Sequence, residues 1–358
     1  MPRPRLRDLG ITIGWLPTGP LNAITDVAGV WVGHTTLIRD EPRVARTGVT
    51  IITARDNQVW LDHCFAAWHR FNGNGEMTGI PWVEESGMLG SAIGLTNTHQ
   101  VGLVRDALVK YSAQAGLMDQ FDLPVVAETW DGLLNDIDAF HLTEADALAA
   151  LANAGPGPVA EGNVGGGTGM VCHEFKGGIG TSSRLADTPL GRFTVGVLVQ
   201  ANYGARASLR VDGVPVGRLI DTRKVPSPYS DRDSGSIIVV VATDAPLLDG
   251  QCRRLAQRAT VGLARVGGVG ANGSGDLFFA FATGNHLPAR PNKSYLLEML
   301  PHDHITPLFV AVADATEEAI LNALCAAESM TGFKGRTAHA MPVDEVAALL
   351  ARRPWLGG

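Results

Sequence analysis

No block of lysine or arginine accumulates in this 358-residue chain beyond the short start MPRPRLRDLG, and its net charge is −7. With a pI near 5.8, it offers none of the clustered cations that a phosphate backbone requires, so a nucleic-acid partner is not expected. A small neutral or cationic substrate fits better. Cys64, Cys172, Cys252 and Cys325 lie far apart with no C-x-x-C pair. That spacing argues against a zinc knuckle or a disulfide framework, and four buried free thiols are the expectation. No segment approaches about 18 uninterrupted apolar residues, and no apolar stretch of signal-peptide length follows the basic start, so neither a membrane span nor a secretory signal is expected. The cytoplasm is the expected compartment. No G-x-S-x-G nucleophile elbow and no fixed-period repeat occur.

Glycine, by contrast, is abundant: 43 residues in 358, about 12% where about 7% is usual, which predicts many tight turns or backbone brought close to a ligand. Segments rich in Val, Ile and Thr predict strands over Val27–Ile38, Gly48–Thr53, Leu123–Glu128, Gly169–Cys172, Phe193–Ala201, Ser236–Thr243 and Leu277–Thr283. Helical spacing predicts Gln100–Ala115, Thr143–Asn153, Leu247–Val266, Thr316–Met330 and Val343–Arg352. In the fourth of these, Glu317 and Glu318 fall at the favourable N-terminal end of the helix dipole. Runs such as Ile237–Ala242 show no two-residue alternation, so those strands should be covered on both faces. The stretch Asp221–Gly235, DTRKVPSPYSDRDSG, carries two prolines and six charged residues and reads as an exposed loop interrupting one domain.

Four stretches could carry chemistry. Gly235-Ser236 ends that polar loop and opens an apolar strand. A serine at the start of a chain has its own α-amine, of ordinary pKa about 7.7–8.0, within reach of its hydroxyl as a base. Plain turns also begin with Gly-Ser, and the pair alone does not decide. In GVGANGSGDLFFAFATGN (268–285), the G-x-G-x-x-G pattern follows a helix and precedes a strand, the reverse of a dinucleotide fingerprint. Ser274 and Asp276 there present either a hydroxyl and a carboxylate together or a capped glycine turn. In AETWDGLLND (127–136), Glu128, Asp131 and Asp136 could meet a substrate ammonium or be solvated loop residues. In LVQANYG (198–204), Asn202 could donate to an oxyanion or close a turn. His302-Asp-His304 lacks a third metal ligand, and GNVGGGTGM (162–170) lacks a P-loop ending and reads as close backbone packing.

Taken in order, and together with GPLNAITDVAGVWVGHTT (19–36) and EGNVGGGTGMVCHEFKGGIGTSSR (161–184), these stretches resemble the DmpA-like family, the L-aminopeptidase D-Ala-esterase/amidases and β-peptidyl aminopeptidases. The resemblance runs over nearly the whole chain. It implies a mixed α/β fold, a four-layer αββα sandwich like that of N-terminal-nucleophile hydrolases with different connectivity. It also implies one domain, 1–358, that cleaves itself between Gly235 and Ser236 into 1–235 and 236–358. Ser236 would be the nucleophile, Ser274 and Asp276 its supporting hydroxyl and carboxylate, Asn202 the oxyanion donor, and Glu128 the carboxylate that holds the substrate amine. Relatives carry Glu where this chain has Asp276, and Tyr where it has Trp130, whose indole N–H donates but cannot accept.

The function expected from the resemblance is hydrolysis of small amine-bearing peptides, amides or esters with D-Ala, β-amino or small L-residues at the N-terminus. No cofactor and no metal are called for, and homo-oligomers, tetramers of αβ units, are implied. The rival readings are a hydrolase of ω-amino-acid oligomers on the same fold, an unprocessed binding homologue, and a nucleotide-dependent oxidoreductase resting on Gly268–Gly273.

Overall fold

The computed structural model describes residues 3–117, 121–229 and 235–352. Residues 230–234 of the predicted loop lie outside the described residues. The strands in chain order are β1 Trp31–Arg39, β2 Ala45–Thr53, β3 Asp62–Arg70, β4 Met88–Leu89, β5 Ile93–Asn97, β6 Val125–Thr129, β7 Val171–Cys172, β8 Phe175–Lys176, β9 Gly178–Thr188, β10 Gly191–Asn202, β11 Ser236–Thr243, β12 Asp276–Pro288, β13 Met330–Thr331 and β14 Thr337–Ala338. The helices are α1 Ile80–Ser86, α2 Val101–Gln114, α3 Glu144–Ala152, α4 Val216–Leu219, α5 Asp249–Val266, α6 Thr306–Ala326 and α7 Val343–Ala351.

A four-stranded sheet in the order β1-β2-β5-β6 stacks on a six-stranded sheet in the order β4-β3-β12-β11-β10-β9. Strand β11 shows why two layers of sheet need two layers of helix. Its Ile238, Val240 and Ala242 enter one core with Ile51, Leu95 and Val126 of the smaller sheet, and with Val104, Leu108, Ala147 and Leu151 of α2 and α3. Its Ile237, Val239 and Val241 enter a second core with Leu255 and Ala259 of α5 and Leu308, Val312 and Ile320 of α6. Successive side chains of a strand point to opposite faces, so a strand buried on both sides must be apolar at every position. The result is helix, sheet, sheet, helix: the αββα sandwich. Cys64, Cys172, Cys252 and Cys325 are all buried and unpaired.

The predicted helix Thr316–Met330 is corrected. Helix α6 begins ten residues earlier, at Thr306, and ends at Ala326. Glu317 and Glu318 are therefore not at its dipole end but buried along its course. Arg265 pairs with Asp314 at 2.6 Å and reaches Glu317 at 3.4 Å. Glu318 takes Arg184 at 2.6 Å, both side chains fully buried, and Arg7 at 2.8 Å. Charged residues that find buried partners look, in sequence, like a polar start. For the same reason β9 was not anticipated. Its Thr181, Ser182, Ser183 and Arg184 are buried and bond Asn22, Ile24 N, Asp26 and Glu318 rather than water.

The glycines of residues 165–167 serve close packing. A Cβ on Gly165 would overlap Thr50 Oγ1, one on Gly166 the Gln200 amide, and one on Gly167 the Ile179 nitrogen. This segment holds the smaller sheet and β9–β10 together.

Candidate active site

Three adjacent strands of the large sheet bring the predicted residues to one end. Strands β10 and β11 run antiparallel, with Asn202, the last residue of β10, opposite Ser236, the first of β11. Directly opposed residues of an antiparallel pair have Cβ atoms about 4.5–5.5 Å apart on the same face. Strand β12 runs parallel to β11, with Asp276, its first residue, beside Ile237. Asn202, Ser236 and Asp276 are thus neighbours by register, before any side-chain contact is considered.

Ser236 is buried, and its Oγ accepts the Gly275 N–H at 3.0 Å. Ser274 Oγ donates to Asp276 Oδ1 at 2.6 Å. Burial pushes the Asp276 carboxyl up to about 6, against the opposing hydrogen bonds from the Ser274 hydroxyl and the Ile237 N–H. Asn202 is held at both ends of its amide: Oδ1 accepts Val171 N–H at 2.8 Å and Nδ2 donates to the Trp130 carbonyl at 3.0 Å. An amide nitrogen has two hydrogens, and only one is used in that contact.

Gly235 sits against the next strand. A Cβ at 235 would overlap the Asn202 carbonyl oxygen and lie 2.8 Å from Tyr203 Cα. The glycine that precedes Ser236 is therefore required by packing.

The smaller sheet contributes Glu128. It lies within β6, is 3% exposed, and accepts the Glu76 N–H at 3.0 Å and the Thr98 hydroxyl. Burial raises its pKa, and those two donors oppose the rise. Asp131 and Asp136 are not gathered with it. Asp131 is fully buried and accepts from Asn135 Nδ2 at 3.0 Å, and burial pushes its carboxyl up to about 7. Asp136 is paired with Arg43 through two hydrogen bonds of 2.6 and 2.8 Å.

The loop FNGNGE, 71–76, connects the two halves of the site and was not anticipated from sequence. Asn72 Oδ1 accepts the Asp276 N–H at 2.6 Å, its Nδ2 donates to the Ala271 carbonyl at 3.0 Å, and Asn74 Nδ2 donates to the Gly273 carbonyl at 2.9 Å. A Cβ on Gly75 would stand 3.2 Å from Gly275 Cα and 3.3 Å from Glu128 Oε1. Glu128 is thus separated from Gly275, the donor to Ser236, by the width of one glycine. Two Asn-Gly pairs in six residues were the available signal. They followed β3, a strand whose His63, Cys64, Trp68 and His69 hide its pattern.

Beside Trp130 opens a cavity of about 580 Å³, whose wall includes His99, Leu133, Tyr229, Phe333, Lys334 and Arg336. Pro228 and Tyr229, read from sequence as part of an exposed loop, also line it. The His302–His304 turn lies elsewhere, and His302 Nδ1 is 2.8 Å from Arg254. Among the described residues no group of three His, Cys, Asp or Glu side chains is arranged to hold a metal ion. No described helix is long and apolar enough to cross a membrane.

The Ser236 hydroxyl, the Asn202 amide, the Ser274–Asp276 pair and the separate Glu128 carboxylate lie at the ends of two stacked sheets. The family model of peptidase family S58 matches residues 22–338. A β-peptidyl aminopeptidase, BapA, of Sphingosinicella microcystinivorans is 45% identical, covering 98% of this chain and 92% of its own. The solved structure of a Burkholderia sp. β-aminopeptidase is 51% identical with a TM-score of 0.93, covering 98% of this chain and 99% of that one. The L-aminopeptidase D-Ala-esterase/amidase of Ochrobactrum anthropi is 44% identical with a TM-score of 0.91 at the same coverage. Its structure is described as a prototype for the serine aminopeptidases and a variant of the Ntn hydrolase fold. On the family match and these near-full-length likenesses, the chain belongs to peptidase family S58.

Proposed function

We propose that this protein is a self-processing aminopeptidase in which Ser236 becomes the N-terminal nucleophile. The observation that carries the reading is the register of β10, β11 and β12, which sets Asn202 and Asp276 on either side of a serine that opens its strand. In processing, Ser236 Oγ attacks the Gly235 carbonyl carbon and the peptide C–N bond breaks to leave an ester. Water then hydrolyses that ester, giving a Gly235 carboxylate and a free Ser236 amine. The chain divides into 1–235 and 236–358.

In turnover, the amine takes the Ser236 hydroxyl proton as the oxygen attacks the substrate carbonyl. The proton passes to the leaving amine, and water releases the acyl group by the reverse route. The unused N–H of Asn202 Nδ2 faces the developing oxyanion. Ser274 and Asp276 orient the amine. Glu128 holds the substrate's ammonium, whose positive charge favours the ionised carboxylate that burial disfavours. Asp276 is one methylene shorter than Glu, and its hydrogen bond from Ser274 supports an orienting role reached through that hydroxyl. The substrates proposed are short peptides and amides with an N-terminal β-amino, D-Ala or small L-residue, the β-amino class favoured by the names of the relatives at 45% and 51% identity.

The test is a side-by-side assay of β-Ala, D-Ala, L-Ala and aminohexanoate amides on wild-type protein and Ser236→Ala. Hydrolysis by the wild type with none by the variant supports the reading. A Ser236→Ala protein that hydrolyses at wild-type rates contradicts it. Preference for the aminohexanoate amide would assign the protein to ω-amino-acid oligomers instead.

A further inference from the structure

The cavity beside Trp130 carries charge that the proposed chemistry does not use. Among its lining groups, Asp136 is already paired with Arg43, and Asp138 lies 3.3 Å from His99. Lys334 and Arg336 also line it, and no described carboxylate stands within ion-pair distance of either; Lys334 Nζ lies 5.1 Å from the centre of the Phe333 ring. In a chain of net charge −7, two cations two residues apart on one cavity wall form a local exception.

They are held on a pinned hairpin. Strands β13 and β14 pair Met330 with Ala338 and Thr331 with Thr337. The hairpin is tied to neighbouring segments by Phe333 N–H donating to the Leu134 carbonyl at 2.7 Å, next to the cavity-lining Leu133, and by Arg46 Nε donating to the Thr331 carbonyl at 2.9 Å. Gly332 approaches Leu134 so closely that a Cβ there would overlap the Leu134 carbonyl oxygen. Lys334 takes the left-handed conformation at φ 58°, and Gly335 follows at φ 68°. A lysine in that region is uncommon and needs surrounding structure to hold it.

The cavity is also joined to the two ends of the proposed reaction centre. His99 follows Thr98, whose hydroxyl donates to Glu128. The Trp130 carbonyl accepts from Asn202, the cross-strand neighbour of Ser236. A volume of about 580 Å³ falls in the range, about 300–1,000 Å³, of sites that enclose small ligands.

We propose that Lys334 and Arg336 bind the free carboxylate of the leaving portion of the substrate, so that the preferred substrates are short zwitterionic peptides rather than neutral amides. The inference rests on the aminopeptidase reading above. Glu128 takes the ammonium at one end, Ser236 meets the carbonyl, and the two cations take the carboxylate beyond the scissile bond. Arg336 can meet a carboxylate with two parallel N–H donors, and Lys334 acts as a point charge.

The experiment compares kcat/KM for β-alanyl-L-alanine and β-alanyl-L-alaninamide on wild type, Lys334→Met, Arg336→Met, the double variant, and the charge-keeping Lys334→Arg and Arg336→Lys. Lys334 is exposed and Arg336 half-buried, and thermal unfolding of each variant checks that it folds. The wild type should favour the acid over the amide. The double variant should lose about tenfold of that preference, the scale of a hydrogen-bonded charge contact, and the charge-keeping variants should retain it. Raising the salt from about 0.01 to about 1 M should shrink the wild-type preference. An acid-to-amide ratio at or below one in the wild type, or a ratio unchanged in the double variant, overturns the carboxylate proposal alone. A wild type that hydrolyses neither substrate overturns it together with the reading on which it rests.

Discussion

A methyl group at position 235 would collide with the Asn202 carbonyl oxygen, so the residue on the carbonyl side of the proposed cleavage is bound to glycine by its neighbour strand. Gly235→Ala must push Ser236 away from Asn202 or shift β10. Overpacking of this kind costs about 1–3 kcal/mol, and the variant should unfold at lower temperature and process at least about tenfold more slowly, followed as fragment appearance over time. Glu128→Gln separates binding from processing. It keeps the shape and an acceptor oxygen for the Glu76 N–H, turns the atom that accepts the Thr98 hydroxyl into a donor that this hydroxyl can accept, and removes the charge. Its kcat/KM should fall about 10–100-fold, chiefly through KM, as expected for a lost charged hydrogen bond. Cleavage should proceed as in the wild type. Steady-state kinetics and a gel read the two effects separately. At this scale Ser236, Asn202, Glu128, Ser274 and Asp276 could be named from sequence because each belongs to a stretch shared with a family. Asn72, Gly75, Lys334 and Arg336 could not, because their meaning lies in which distant backbone each one touches.

Elements were legible where the physics was local. Strand β11 came out at Ser236–Thr243 as read, because a strand covered on both faces is apolar throughout. Helix α6 and strand β9 were misjudged or missed because their polar residues are buried in pairs rather than solvated. The Arg184–Glu318 pair between them, fully buried at 2.6 Å, gives this explanation a test. Arg7 and Asn22 also bond Glu318, so Glu318→Ala leaves a buried guanidinium without its partner. Removing one member of a buried pair costs about 3–5 kcal/mol. The midpoint of urea unfolding should fall accordingly. A midpoint within error of wild type would mean that α6 and β9 are held by apolar packing alone.

On the scale of the whole molecule, the αββα class was legible and the spread of titrating groups was not. His173 lies fully buried in the turn between β7 and β8 at φ 48°, with Nδ1 3.0 Å from the Ala205 carbonyl. Burial lowers its pKa to about 4, from about 6.5 in an unfolded chain. Below about pH 6.5 the unfolded chain gains a proton that the folded one refuses, so this residue's contribution to stability falls as pH drops to about 4 and is flat below. The shift corresponds to about 3 kcal/mol. Glu161 and Glu317, pushed up to about 7 by burial, act with the opposite sign and lose stability as pH rises from about 4.5 to about 7. The difference between wild type and His173→Asn therefore isolates the histidine. Asparagine tolerates left-handed φ and keeps a donor near the Nδ1 position. The variant should lose less stability than wild type between pH 6.5 and 4, measured by urea unfolding at each pH.

The proposed self-cleavage at a single bond would give the molecule its catalyst, and it is read most directly by mass and N-terminal sequence of the purified wild-type protein beside Ser236→Ala. The wild-type chain of 37.8 kDa should yield fragments of about 25 and about 13 kDa, scaled by residue count, with the smaller beginning Ser236-Ile-Ile-Val, while Ser236→Ala stays whole. A wild-type chain that hydrolyses its substrates while still intact, or a Ser236→Ala chain cut at the same bond, would contradict the account.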